Sequence, residues 1–157
     1  MSGNIDSRQH AESLITSLGQ QVGIPKLAFE KDKSVVLSFN EQMVTVSYDE
    51  KVDALTLFGL ADRLPGQLGA EGLARLMALN AEMFQREQAC ILYNQTTLLV
   101  ALLFRVDAWS MKSDGILPWI DRCIETIEAS RERVWELLGA DREKMDSDDT
   151  GGNFLQA

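Results

Sequence analysis

Between residues 7 and 58 the spacing of apolar side chains switches from the helical period to the strand period. That switch limits the chain to folds in which one amphipathic helix is followed by a run of hairpins. Ser7 can cap a helix in which Ala11, Leu14, Ile15, Leu18 and Val22 recur at helical spacing, and Gly23 and Pro25 supply the stop signals. Lys26–Glu30, Ser34–Phe39, Met43–Tyr48 and Ala54–Phe58 then read as short strands. The connections at 31–33, 40–42 and 49–53 are short, polar and rich in turn formers, so antiparallel hairpins are expected. Val35, Leu37 and Phe39 share one face of their strand, as do Val44, Val46 and Tyr48 of the next, opposite Val36, Ser38, Met43, Thr45 and Ser47. One sheet face is therefore apolar and the other mixed.

The second half repeats the switch. Residues 59–70, with Pro65-Gly66 inside, read as a loop, and Leu73, Leu76, Met77, Asn80, Met83 and Phe84 form the stripe of a second helix. Ala89–Tyr93 and Thr96–Phe104 read as two more strands joined at Asn94-Gln95; the later one is apolar on both faces and should be central or covered. Ser113 or Asp114 opens a last helix with Pro118 in its first turn and Ile120, Ile124, Ile127, Arg131, Val134 and Leu138 along one side. The division expected is one α+β domain over residues 1–139 and an acidic, flexible tail over 140–157, where Asp146, Asp148 and Asp149 cluster.

Composition narrows the function classes. At 157 residues, with 45% hydrophobic and 25% charged side chains, the chain is long enough for one real core. A formal charge of -9 repels nucleic acid backbones and anionic lipid surfaces, so neither is an expected partner. The N-terminus shows no targeting pattern, and the longest apolar run, Leu98 to Phe104, falls far short of the roughly 20 residues a membrane span needs. Two unclustered cysteines, Cys90 and Cys123, suit a reducing compartment.

Catalytic chemistry finds little to work with. The one histidine, His10, falls on the polar side of the first helix without a partner acid or nucleophile at a telling spacing. With Cys90 and Cys123 it makes three scattered singles, where structural zinc wants about four ligands. Gly66, Gly69 and Gly72 lack the features of a phosphate loop and read as loop residues. No catalytic residue, metal ligand or cofactor is expected. What stands out is apolar surface: a thin two-layer domain leaves Leu27, Phe29, Val36 and Met43 either in the core or free for another chain. Asn80 has two readings, one that fixes register across an oligomer and one that bonds a nearby backbone group.

The order of elements and several phrases resemble the class I type III secretion chaperones, the Tir chaperone (CesT) family. Gly23-Ile24-Pro25-Lys26-Leu27-Ala28-Phe29 is similar to the family's helix exit into its first strand, followed by Ser34 to Phe39 and Val44 to Asp49. Leu55-Thr56-Leu57-Phe58 with Leu64-Pro65 is similar to its third main strand, and Leu76-Met77-Ala78-Leu79-Asn80 with Met83-Phe84 to its second helix. Trp119, Ile127, Trp135 and Leu138 resemble its closing helix, while 86–94 departs from it, with Gln88-Ala89-Cys90 in place of Gly-rich turns. The match runs from about residue 7 to 138.

The resemblance implies an α-β-β-β-α-β-β-α homodimer in the bacterial cytoplasm, paired through Leu76, Leu79, Asn80, Met83 and Phe84 and through Leu98, Val100 and Leu102. It implies an ATP-independent chaperone that holds the N-terminal segment of a secreted effector in extended form, with Leu14, Leu18, Leu27, Phe29, Val36 and Met43 in contact with it. The secretion ATPase is a further candidate partner. The rival reading is a chaperone-like protein that sequesters a transcription regulator or senses a signal; an enzyme is the third.

Overall fold

The computed structural model describes the backbone of residues 3–149 and the side chains of residues 7–136. Helix α1 (Gly3–Gln21) precedes a meander of β1 (Ser34–Phe39), β2 (Gln42–Asp49) and β3 (Ala54–Arg63). Then come α2 (Ala70–Glu87), β4 (Ala89–Asn94), β5 (Leu99–Asp107) and α3 (Ile116–Asp149). The order α-β-β-β-α-β-β-α is the one expected, and the five strands form one antiparallel sheet ordered β1-β2-β3-β5-β4.

The register explains where the core lies. Val35 faces Val46, Val46 faces Leu57, Leu57 faces Phe104 and Phe104 faces Ala89, a row across all five strands that is buried throughout. Against it pack Leu14, Ile15 and Leu18 of α1, Leu76, Leu79 and Met83 of α2, and Ile120, Cys123 and Ile127 of α3, all in one cluster. Burying a Leu or Ile side chain stabilises by about 1.5–3 kcal/mol, so this face decides the fold. α3 crosses β3 at Gly59, where a Cβ would run into the Ile127 side chain; the glycine permits the close approach.

Several boundaries differ from the sequence reading, each for a local reason. α1 begins at Gly3, ahead of Ser7. Residues 26–30 are not a strand: Gly23 takes a positive φ of 78°, and Leu27 N–H turns back to Ile24 O, so the segment leaves the sheet plane. β3 continues to Arg63 through a bulge between Leu60 and Asp62, held by Arg131 Nε donating to Ala61 O at 2.7 Å. Gly72 is buried within α2 and is not a loop residue. β5 starts at Leu99 because Asn94 Oδ1 accepts from Thr96 and Thr97 N–H and lengthens the turn. α3 starts at Ile116, after a turn closed by Gly115 N–H to Lys112 O. Its backbone runs past residue 139 to Asp149; the rest of the expected tail, 150–157, lies outside the described residues, as does the Leu138 side chain.

Candidate binding faces

On the outer side of the sheet the neighbouring row reads Val36, Thr45, Phe58, Leu103 and Cys90, and no member of it is buried. Phe58, Leu60 and Leu92 are exposed around it, and Met43, 58% exposed, and Val36, 50% exposed, continue the apolar surface onto β2 and β1. Ser47 and Thr56 are hydrogen-bonded to each other at 2.6 Å, so this side mixes apolar and hydroxyl groups as the alternation predicts.

The stripe on α2 proves to be two. Leu76, Leu79 and Met83 are buried in the core, whereas Leu73, Met77 (73% exposed) and Phe84 (60% exposed) face outward. Asn80 sits between them in the outward row, and its Oδ1 accepts the Ile91 N–H at 2.6 Å. That bond holds the outward row of α2 against the β4 strand.

The residues expected to pair two copies therefore separate. Leu76, Leu79, Met83, Val100 and Leu102 belong to the core, Leu98 is partly buried against it, Asn80 is half-buried and Phe84 is exposed. Leu73 and Met77 were not singled out for association, although a stripe holding 73, 76, 77, 80, 83 and 84 is wider than one contact face needs.

The residues expected to touch a client also divide. Leu14 and Leu18 are fully buried under the sheet, while Val36 and Met43 lie on its outer side. Leu27 and Phe29 are partly buried against the core, and Phe29 stacks on Tyr48 with ring centroids 6.5 Å apart. Phe29 and Tyr48 line a pocket of about 320 Å³ rimmed by Arg8, Glu12, Lys31 and Lys33. Burial and a hydrogen bond to Asp53 at 2.8 Å push the Tyr48 phenol up to about 12, and the bond from Lys33 holds the Glu50 carboxyl below its usual range.

A groove of about 680 Å³ between α2 and α3 mixes apolar and charged groups, several of them paired: Arg133 and Arg86 both reach Glu82, at 2.5 and 3.2 Å, and Arg122 reaches Glu87 at 3.2 Å. His10 is half-buried, against expectation; its Nε2 lies 3.1 Å from Met111 O and its ring packs edge-on to Trp109. Among the described residues, no group of three or more His, Cys, Asp or Glu is placed to hold a metal ion, and no helix is long and apolar enough to cross a membrane.

This arrangement of three helices and one antiparallel sheet is shared with chains of solved protein complexes. A chain of the ExsC-ExsE complex superposes with a TM-score of 0.69 at 16% identity, covering 79% of this chain and 92% of that one. A chain of the HopA1-SchA chaperone-effector complex gives 0.65 at 13% identity, with 80% and 96% covered. A chain of the ExoT-SpcS complex from Pseudomonas aeruginosa gives 0.56 at 13% identity, with 82% and 98% covered. Among curated proteins no sequence match is found. The Tir chaperone protein (CesT) family, however, matches over residues 13–131, and the chain belongs to that family. By that family it is a type III secretion effector chaperone.

Proposed function

We propose that the protein works as a homodimer in the bacterial cytoplasm, where it holds the N-terminal segment of a secreted effector in extended form and keeps it competent for export. The observation that carries this reading is exposed apolar surface among the described residues, with Phe58, Leu60 and Leu92 on the outer sheet face and Met77 and Phe84 on α2. The half nearest α2, β4 and β5 pairs the two copies, with Asn80, Phe84 and Leu98 near the contact and Leu76, Leu79, Met83, Val100 and Leu102 packed behind it as its rigid backing. The half on β1 and β2, with Val36 and Met43, takes the client, and the Phe29 pocket takes one of its apolar side chains. Leu27 lines the approach, and the buried Leu14 and Leu18 support it from the core.

Holding an extended segment needs no covalent step, so the protein acts without nucleotide and is not an enzyme; backbone bonds give tolerance and pockets give selectivity. Delivery to the secretion ATPase follows client binding. The test is to purify the protein from its native cell and map what it holds by limited proteolysis and mass spectrometry. The expected result is a secreted protein protected over its N-terminal segment. A bound transcription regulator, or protection of a folded domain, overturns the reading.

A further inference from the structure

An antiparallel sheet of five strands ends in two rows of outward amides and carbonyls, each a template for another strand. Here the two ends are treated differently. The bond from Ala108 N–H to Asp53 O sets the β3-β5 ladder, so that 102 and 104 bond to β3 while 99, 101 and 103 bond to β4. Ala89, Ile91 and Tyr93 therefore turn their backbone groups off the sheet. Ile91, the middle one, spends its N–H on Asn80 Oδ1 at 2.6 Å, and the Tyr93 hydroxyl accepts the Leu68 N–H at 3.2 Å, which ties the segment before α2 to the same strand.

At the other end Tyr48 N–H bonds to Lys33 O, so Ser34, Val36 and Ser38 face outward from β1. Ser34 is closed by its own chain, its N–H to Asp32 Oδ1 and its carbonyl accepting from Glu30 N–H. Val36 and Ser38 follow it along an edge that has no further strand among the described residues.

We infer that Asn80 guards the β4 edge: its carboxamide takes the outward Ile91 N–H and closes that edge to extended chains. The inference stands on geometry alone. It also replaces the role of a register-fixing pair across two copies: the Asn80 acceptor is already used within one chain. A buried amide left without its acceptor costs about 1–3 kcal/mol, which is enough to make β4 seek a strand.

The test compares Asn80→Leu, which removes the acceptor, with Asn80→Asp, which keeps one. Amide hydrogen exchange is read at Ile91, with Leu102 and Phe104 as internal references, and light scattering is followed from dilute to concentrated protein. Asn80→Leu should speed Ile91 exchange at least tenfold, leave the references unchanged and add species larger than wild type as concentration rises; Asn80→Asp should do neither. Unchanged Ile91 exchange in Asn80→Leu, or equal effects of the two substitutions, overturns the acceptor role. Fast exchange without new association overturns the edge-closing role, and none of these outcomes depends on finding a client.

Discussion

Two rows of side chains run across this sheet one residue apart, and they meet different fates. Val35, Val46, Leu57, Phe104 and Ala89 are sealed by three helices; Val36, Thr45, Phe58, Leu103 and Cys90 are not. A strand's period of two gives each row its own face, so a fold with helices on one side only settles the first row within one chain. The second row keeps Val36 and Phe58 exposed and Leu103 only partly covered.

Substitutions in the two rows should therefore separate stability from association. Phe104→Ala should cost about 3–5 kcal/mol by cavity formation, seen as a lower urea midpoint, while Phe58→Ser should stay within about 1 kcal/mol. Equal losses would erase the distinction between the faces. Next in size, Gly59→Ala should cost about 1–3 kcal/mol by overpacking against Ile127. Ile127→Val in the same chain should relieve part of that cost, and strict additivity of the two would contradict the contact.

Phe84→Asp sharpens the comparison from the exposed side. The side chain is 60% exposed, so at concentrations low enough to dissociate any pair the substitution should leave the unfolding stability within about 0.5 kcal/mol of wild type. It should nonetheless raise the dimer dissociation constant at least tenfold, since a charge would be buried between copies. A variant that dimerises undiminished removes Phe84 from the contact.

Much of this was legible in the sequence because the row pattern is a pattern of alternation. Val35 and Leu37, and Val44 and Val46, mark the core face by alternation alone, and the apolar run ending at Phe104 marks an interior strand. Alternation failed where backbone geometry overrides it. Leu27 and Phe29 alternate like a strand, yet a turn at Ile24 aims them at the core and at Tyr48 from outside the sheet. The bulge at Leu60 and Asp62 hid the end of β3, because Arg131, which holds it, is 70 residues away. The width of the α2 stripe was visible, but its division into a buried and an exposed half depends on where Asn80 meets β4.

Smaller effects follow from titration and thiol access. The Tyr48 phenol ionises near 10 in an unfolded chain and at about 12 in the fold. The native state thus holds its proton longer, and stability that is full below pH 10 should fall as pH rises toward 12. Tyr48→Phe should remove that part of the slope; a wild-type urea midpoint that is flat from pH 9 to 11.5 would contradict it. Smallest of all, burial pushes the Cys123 thiol up to about 12, so it should resist an aromatic disulfide reagent at pH 8 until the protein unfolds. Cys90, half-exposed on the outer face, should react first, and more slowly at concentrations where copies pair.

The open face itself is tested most directly by light scattering on the purified chain across a dilution series. The account predicts a mass twice the 17.5 kDa of one chain at micromolar concentration. A mass of 17.5 kDa throughout, with no shift at the highest concentration, would contradict it.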